Sequence, residues 1–143
     1  MKDGTFACAS TGLEIHMTGT PSHAAYPEAG RNPGYALAGL LLQIEELTEQ
    51  FNETKGFVRM TLIGMELGSE NYGVAASDGY LRLTVRGEGE QVFHDYLAEI
   101  RKLAEVMAQK EALELSIKEI ERFPSTDNHA EQVLSLIHIS EPT

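Results

Sequence analysis

Hydrophobic positions along the chain switch between a period of two and a period near 3.6, and the switches divide it into six elements. Leu13, Ile15 and Met17 alternate with Glu14, His16 and Thr18, which predicts a half-buried strand. A loop rich in glycine and proline follows. Pro33 then suits a first helical turn, and Leu37, Leu40, Leu41, Ile44, Leu47 and Phe51 recur at helical spacing opposite Glu45, Glu46 and Glu49. Residues Asn52 to Gly56 end that helix. Val58, Met60 and Leu62 predict a second strand, after which glycines at 64, 68, 73 and 79 mark turns or close backbone approach. Leu81, Leu83 and Val85 alternate with Arg82, Thr84 and Arg86 as a third strand, broken by Gly87-Glu88-Gly89. Phe93, Tyr96, Leu97, Ile100, Leu103, Ala104 and Met107 line a second amphipathic helix. Its acids (Glu90, Asp95) and bases (Arg101, Lys102, Lys110) run with the helix dipole. Leu113, Leu115 and Ile117 form a fourth alternating strand, and Phe123 to Asn128 reads as an exit linker.

The predicted order is strand, helix, strand, strand, helix, strand, and each strand is apolar on one face only. An α+β, ferredoxin-like βαββαβ fold follows: a four-stranded antiparallel sheet with two helices on one face. That arrangement serves many functions, so the residues must decide. RNA-recognition modules share the element order but need stacking aromatics on the open sheet face and a basic surface. Here the outward positions of the third strand are Tyr80, Arg82, Thr84 and Arg86, and the net charge is −11.

That charge argues against nucleic acid as a partner. At 143 residues and 42% hydrophobic content the chain fits one domain with a packed core. No apolar run approaches the roughly 20 residues of a membrane span, and no signal-peptide pattern opens the chain, so a cytoplasmic, membrane-free protein is expected. The single cysteine, Cys8, forms no internal disulfide and reads as a small side chain without a role. The closing stretch, Leu134 to Thr143, resembles the translation of a sequencing-library adapter. It is set aside as an artefactual tail, which leaves His138 without function and makes the chain a fragment whose gene continues elsewhere.

The candidate chemistry lies in the loop after the first strand, Gly19-Thr20-Pro21-Ser22-His23-Ala24-Ala25-Tyr26-Pro27-Glu28-Ala29-Gly30-Arg31-Asn32-Pro33. It closely resembles the signature of the dimerisation (lid) domain of the aminoacylase and N-acyl amino acid amidohydrolase family of metallopeptidases. There a strand leads into Gly-x-x-x-His-Ala-x-x-Pro, a glycine and a long helix. The resemblance continues at Leu62-Ile63-Gly64 to Gly68-Ser69, at Leu83-Thr84-Val85-Arg86, and at Phe123-Pro124-x-Thr126-x-Asn128, covering nearly all of residues 4 to 133. It implies a two-domain parent enzyme that hydrolyses small amides with two divalent metals, usually zinc, held in a separate catalytic domain. The lid domain would form a homodimer and offer His23 to the partner subunit's site. There His23 would bind the substrate carbonyl and stabilise the charge of the tetrahedral intermediate, where a preorganised donor acts most strongly. On this reading residues 1–11 lead from the missing catalytic domain, 12–122 are the lid, 123–133 return to the catalytic domain, and the fragment alone is inactive. Ser22, Arg31 and Asn128 are the accompanying substrate-binding candidates. Arg31 could meet a substrate carboxylate or pair with Glu28, and Arg86 reads as structural.

No metal ligand set is expected in this chain, and no cofactor is expected on the fragment itself. The family's His-x-Asp segment is missing, the adjacent Glu45 and Glu46 belong to a helix face, and His16, His94 and His129 show no ligand spacing. The family's Asn-Val-Ile-Pro-Asp stretch is replaced by Gly73-Val74-Ala75-Ala76-Ser77, so an asparagine that can serve the substrate site is lost at Gly73. Two other readings remain open at this point: a stand-alone ferredoxin-like module that binds a small metabolite or only dimerises, and a pure interaction scaffold.

Overall fold

In a computed structural model that describes residues 8–123, the period-two stretches form strands and the period-3.6 stretches form helices. Strand β1 spans Cys8–Thr18, helix α1 Gly34–Thr54, β2 Val58–Leu67, β3 Asp78–Glu88, α2 Glu90–Lys110 and β4 Glu114–Phe123. A short 3-10 turn, Pro27–Ala29, lies in the loop between β1 and α1. The sheet order is β2-β3-β1-β4 with every neighbouring pair antiparallel. Each helix therefore joins two strands that have a third between them, the split βαβ topology of the ferredoxin-like fold.

The strand bounds differ from the periodic pattern for physical reasons. Ser10 and Thr11 are polar yet only 7% and 0% exposed, so the first half of β1 is buried without an apolar alternation to announce it. β2 does not end near Gly64 but runs to Leu67. A bulge there leaves Ile63 unmatched: Leu62 faces Leu83 and Gly64 already faces Arg82. β4 continues to Phe123, two register positions past Ile120 across a second bulge at Thr11/Gly12. There the Cβ of any larger residue at Gly12 would lie 3.2 Å from the Cβ of Ile120.

One face of the sheet and both helices enclose the core. Leu13, Ile15 and Met17 of β1 and Leu81, Leu83 and Val85 of β3 meet Leu37, Leu40, Ile44 and Phe51 of α1 and Phe93, Tyr96 and Ile100 of α2. Burying each such side chain is worth about 1.5–3 kcal/mol. The polar end of Tyr96 is satisfied by Thr48 Oγ1 at 2.6 Å, and burial pushes its phenol above the usual range while that hydrogen bond opposes the shift. Asn52 ties the end of α1 to β2: its side chain accepts from the Val58 N–H and donates to the Val58 carbonyl. The opposite sheet face is bare of helices and carries a row of charges. Lys118 lies 3.9 Å from Glu14, Glu14 lies 3.0 Å from Arg82, and Arg82 lies 3.3 Å from Glu66, crossing all the strands.

Helix α2 ends in a Schellman-type turn, with the Leu113 N–H on the Ala108 carbonyl and the Ala112 N–H on that of Gln109. Ala112 sits at the left-handed position of that turn, φ 57°, where an L side chain is strained and glycine is favoured. Ala112→Gly is expected to stabilise the domain by up to about 1 kcal/mol in chemical unfolding, the reverse of the usual helix-to-glycine effect.

Candidate functional site

The loop that carries His23 is closed by a tight neck. The N–H of Thr20 donates to the Arg31 carbonyl at 3.1 Å and the N–H of Arg31 returns to the Thr20 carbonyl at 2.9 Å. Glycines flank that pair because the backbones nearly touch. A Cβ at Gly19 would stand 1.9 Å from the Arg31 oxygen, and one at Gly30 2.6 Å from the Thr20 oxygen. Beyond the neck a turn forms, with the Tyr26 N–H on the His23 carbonyl at 2.8 Å, and the 3-10 turn brings the chain back. Asn32 then accepts the Gly34 N–H at 2.8 Å and starts α1.

A second segment holds the loop from the side. The Ala75 N–H donates to the Ser22 carbonyl at 2.8 Å, the Ala24 N–H donates to the Gly73 carbonyl at 2.9 Å, and His23 and Val74 form an isolated bridge. His23 itself is exposed, with its ring tilted against Tyr26 at a centroid distance of 5.9 Å. Its Nδ1 accepts the Ala25 N–H at 3.0 Å. A nitrogen that accepts cannot carry the proton of a neutral ring, so in the neutral ring the proton belongs to Nε2.

Beside the neck lies a second polar group, on the open face of the sheet. Nε2 of His16 meets Asp78 Oδ1 at 2.6 Å, Thr18 Oγ1 donates to the same oxygen at 3.2 Å, and the His16 ring stacks flat on Tyr80 at 4.1 Å. Ser116 of β4 faces His16 on its other side, and Arg82 lies over the Tyr80 ring at 4.8 Å. The pair joins the last turn of β1 to the first residue of β3, where the Gly19 N–H also bonds the Ser77 carbonyl at 2.8 Å. The His23 loop and its side support thus leave the sheet from one clamped corner.

Comparison with known proteins agrees with this architecture. The family model described as "Peptidase dimerisation domain" matches residues 8–112. The chain belongs to the peptidase dimerisation domain family. Among solved structures, it is similar to a protein described as an aminohydrolase from methicillin resistant Staphylococcus aureus, with a TM-score of 0.75 and 12% identity over 94% of this chain and 36% of that one. It is similar to a hydantoinase/carbamoylase family amidase from Burkholderia ambifaria, with a TM-score of 0.73 and 16% identity over 98% and 36%. It is likewise similar to an aminobenzoyl-glutamate utilization protein from Klebsiella pneumoniae, with a TM-score of 0.72 and 20% identity over 94% and 34%. At these identities the likeness concerns the fold, and the chain spans about one third of the length of those proteins. No curated protein matches the chain at a significant level.

Within this dimerisation domain the predicted site residues are spread unevenly. His23 lies at the loop tip. Ser22 turns its hydroxyl inward, where it has no hydrogen-bond partner and packs beside Gly30. Arg31 is exposed at the neck, and among the described residues no carboxylate, Glu28 included, lies within ion-pair distance of it. Asn128 and the exit linker lie outside the described residues, as does the adapter-like tail. Arg86 faces Ser10 and Arg59 across the sheet, far along β3 from the loop. Among the described residues no group of three His, Cys, Asp or Glu could hold a metal ion, so the side chains of this domain do not fit one. No described helix is long and apolar enough to cross a membrane. Sequence reasoning missed Asp78, whose partner lies far away in the chain, and the supporting segment 71–75, for which the turn-forming Asn71-Tyr72-Gly73 was the available signal.

The hydrogen bond from His16 holds the Asp78 carboxyl below the usual range, with Thr18 and the His16 charge acting in the same direction and burial opposing them. A depressed carboxyl stabilises the fold above its unfolded value and loses that contribution as the pH falls through its lower folded value. Asp78→Asn should therefore lower the melting temperature near neutrality, and the two proteins should converge below about pH 4. A gap of constant size across a calorimetric pH series would contradict this.

Proposed function

We propose that this dimerisation domain belongs to a metal-dependent amidohydrolase acting on N-acyl amino acids or related small amides, and that it contributes His23 to substrate binding. The carrying observation is the hydrogen bond from the Ala25 N–H to His23 Nδ1, which leaves Nε2–H as the donor of an exposed ring on a backbone-braced loop. A ring held in that state suits donation to a carbonyl oxygen as it gains charge and does not suit proton abstraction through Nε2. Two divalent metals, zinc by family resemblance, would be held by a catalytic domain outside this chain. The chain's coverage of about one third of its structural relatives, described as amidase and aminohydrolase, is consistent with such a division. His23→Ala in the full-length enzyme should lower kcat by about 100-fold or more with metal content unchanged. An unaltered rate would reduce His23 to a structural residue.

The homodimer would form along β2 and α1. Among the described residues β2 is an edge strand with no neighbour on its outer side, and Leu62, Ile63, Met65 and Leu67 on it are exposed, as are Tyr35 and Leu42 of α1. An unpaired, apolar edge of this kind favours antiparallel pairing with a second copy about a two-fold axis. Ile63→Lys, at the bulge, should shift the molecule to a monomer in light scattering while leaving its circular dichroism unchanged. A dimer that survives both this change and Met65→Lys would place the interface elsewhere.

A further inference from the structure

Within the segment that braces His23, one side chain, that of Asn71, bonds directly to the backbone of Gly73. Residues 71–75 lie in neither a strand nor a helix, and packing scarcely restrains them: Tyr72 is 93% exposed, and a Cβ at Gly73 would meet nothing nearer than Asn71 Oδ1 at 3.4 Å. Polar contacts must therefore set the path. Towards β3 the segment is secured by the Gly19 N–H on the Ser77 carbonyl. Towards β2 the restraint converges on Asn71. Its Oδ1 accepts the Gly73 N–H at 2.9 Å, its carbonyl accepts the Val74 N–H at 3.3 Å, and its own N–H is fixed on Ser69 Oγ at 3.2 Å.

Those contacts aim the peptide that holds the histidine. The Gly73 carbonyl receives the Ala24 N–H and the following Ala75 N–H reaches the Ser22 carbonyl, so the backbone is pinned on both sides of His23. Ala25, the next residue, supplies the N–H that holds the ring at Nδ1. Gly73 is the weak link in this series, since glycine has the widest backbone freedom and no side chain to pack. The Asn71 side chain removes that freedom by fixing the Gly73 N–H, and with it the orientation of the adjoining peptide groups.

We propose that Asn71 is a positioning residue for His23, acting through Gly73 and Ala24 without touching substrate. This rests on the reading of His23 as a substrate-binding donor, and two measurements separate the failure of one from the failure of the other. In the 143-residue chain, Asn71→Ala should speed hydrogen exchange of the Ala24 and Ala75 amides by about fivefold or more, with exchange in β1 and β3 unchanged. Asn71→Asp keeps the oxygen acceptor and should restore protection, and Ser69→Ala should show a smaller effect in the same direction. In the full-length enzyme, Asn71→Ala should lower kcat by about 10- to 100-fold with KM little changed, because misplacing a transition-state donor costs rate more than binding. Asn71→Asp should recover most of that loss. Unchanged exchange at Ala24 and Ala75 would overturn the proposal whatever the activity. Faster exchange with an unaltered kcat, where His23→Ala is defective, would also overturn it and leave the function of His23 standing. A normal rate in His23→Ala would remove the function first, and the positioning role with it.

Discussion

The close approach of Gly19 to Arg31 is the contact on which the presentation of the site depends. Only two backbones without a side chain between them can come this near, and the reciprocal hydrogen bonds of Thr20 and Arg31 form because they do. The neck turns the stretch from Pro21 to Ala29 into a separate, exposed loop, although β1 before it runs through the middle of the sheet. β1 is paired on both sides, by β3 and by β4, and its inward side chains are buried in the core. The loop therefore grows from one of the two central strands of the sheet. Function placed on a loop over a rigid support is a common solution, and here the support is continuous with the loop itself.

The corner where the loop leaves also gathers the rest of the proposed machinery. The first residue of α1 lies on the last residue of β2: a Cβ at Gly34 would stand 2.7 Å from Leu67. The connection from β2 to β3 passes the same corner and braces His23 with residues 73–75. The His16–Asp78 pair then holds β1 to β3 immediately beneath. Loop, helix start and edge strand thus meet at one corner of the domain.

Most of the fold was legible in the sequence because burial on one face writes itself into the residue pattern. Leu13, Ile15 and Met17 could only be inward if Glu14, His16 and Thr18 were outward, and β1 has that arrangement. What stayed hidden were places where structure does not need hydrophobicity. Ser10 and Thr11 are polar residues of little exposure within the paired strand, and β2 passes Gly64 because a bulge absorbs the irregularity. Backbone hydrogen bonding carries the strand through both places, and it leaves little trace in side-chain type.

The sequence by itself determined the element order, the inward faces, and the single histidine set among glycines and prolines where a loop must form. These depend on local spacing and on the conformational limits of individual residues. Tertiary structure alone decided what that histidine can do. The Ala25 N–H on His23 Nδ1 decides which ring nitrogen of a neutral imidazole is left to donate, a bond too local and too conformation-dependent to read from residue types. Asn71 and Asp78 gain their meaning only when folding brings distant segments beside the loop and the end of β1. The chemistry was visible as a residue, and its direction came from backbone groups that every sequence carries and only a fold can aim.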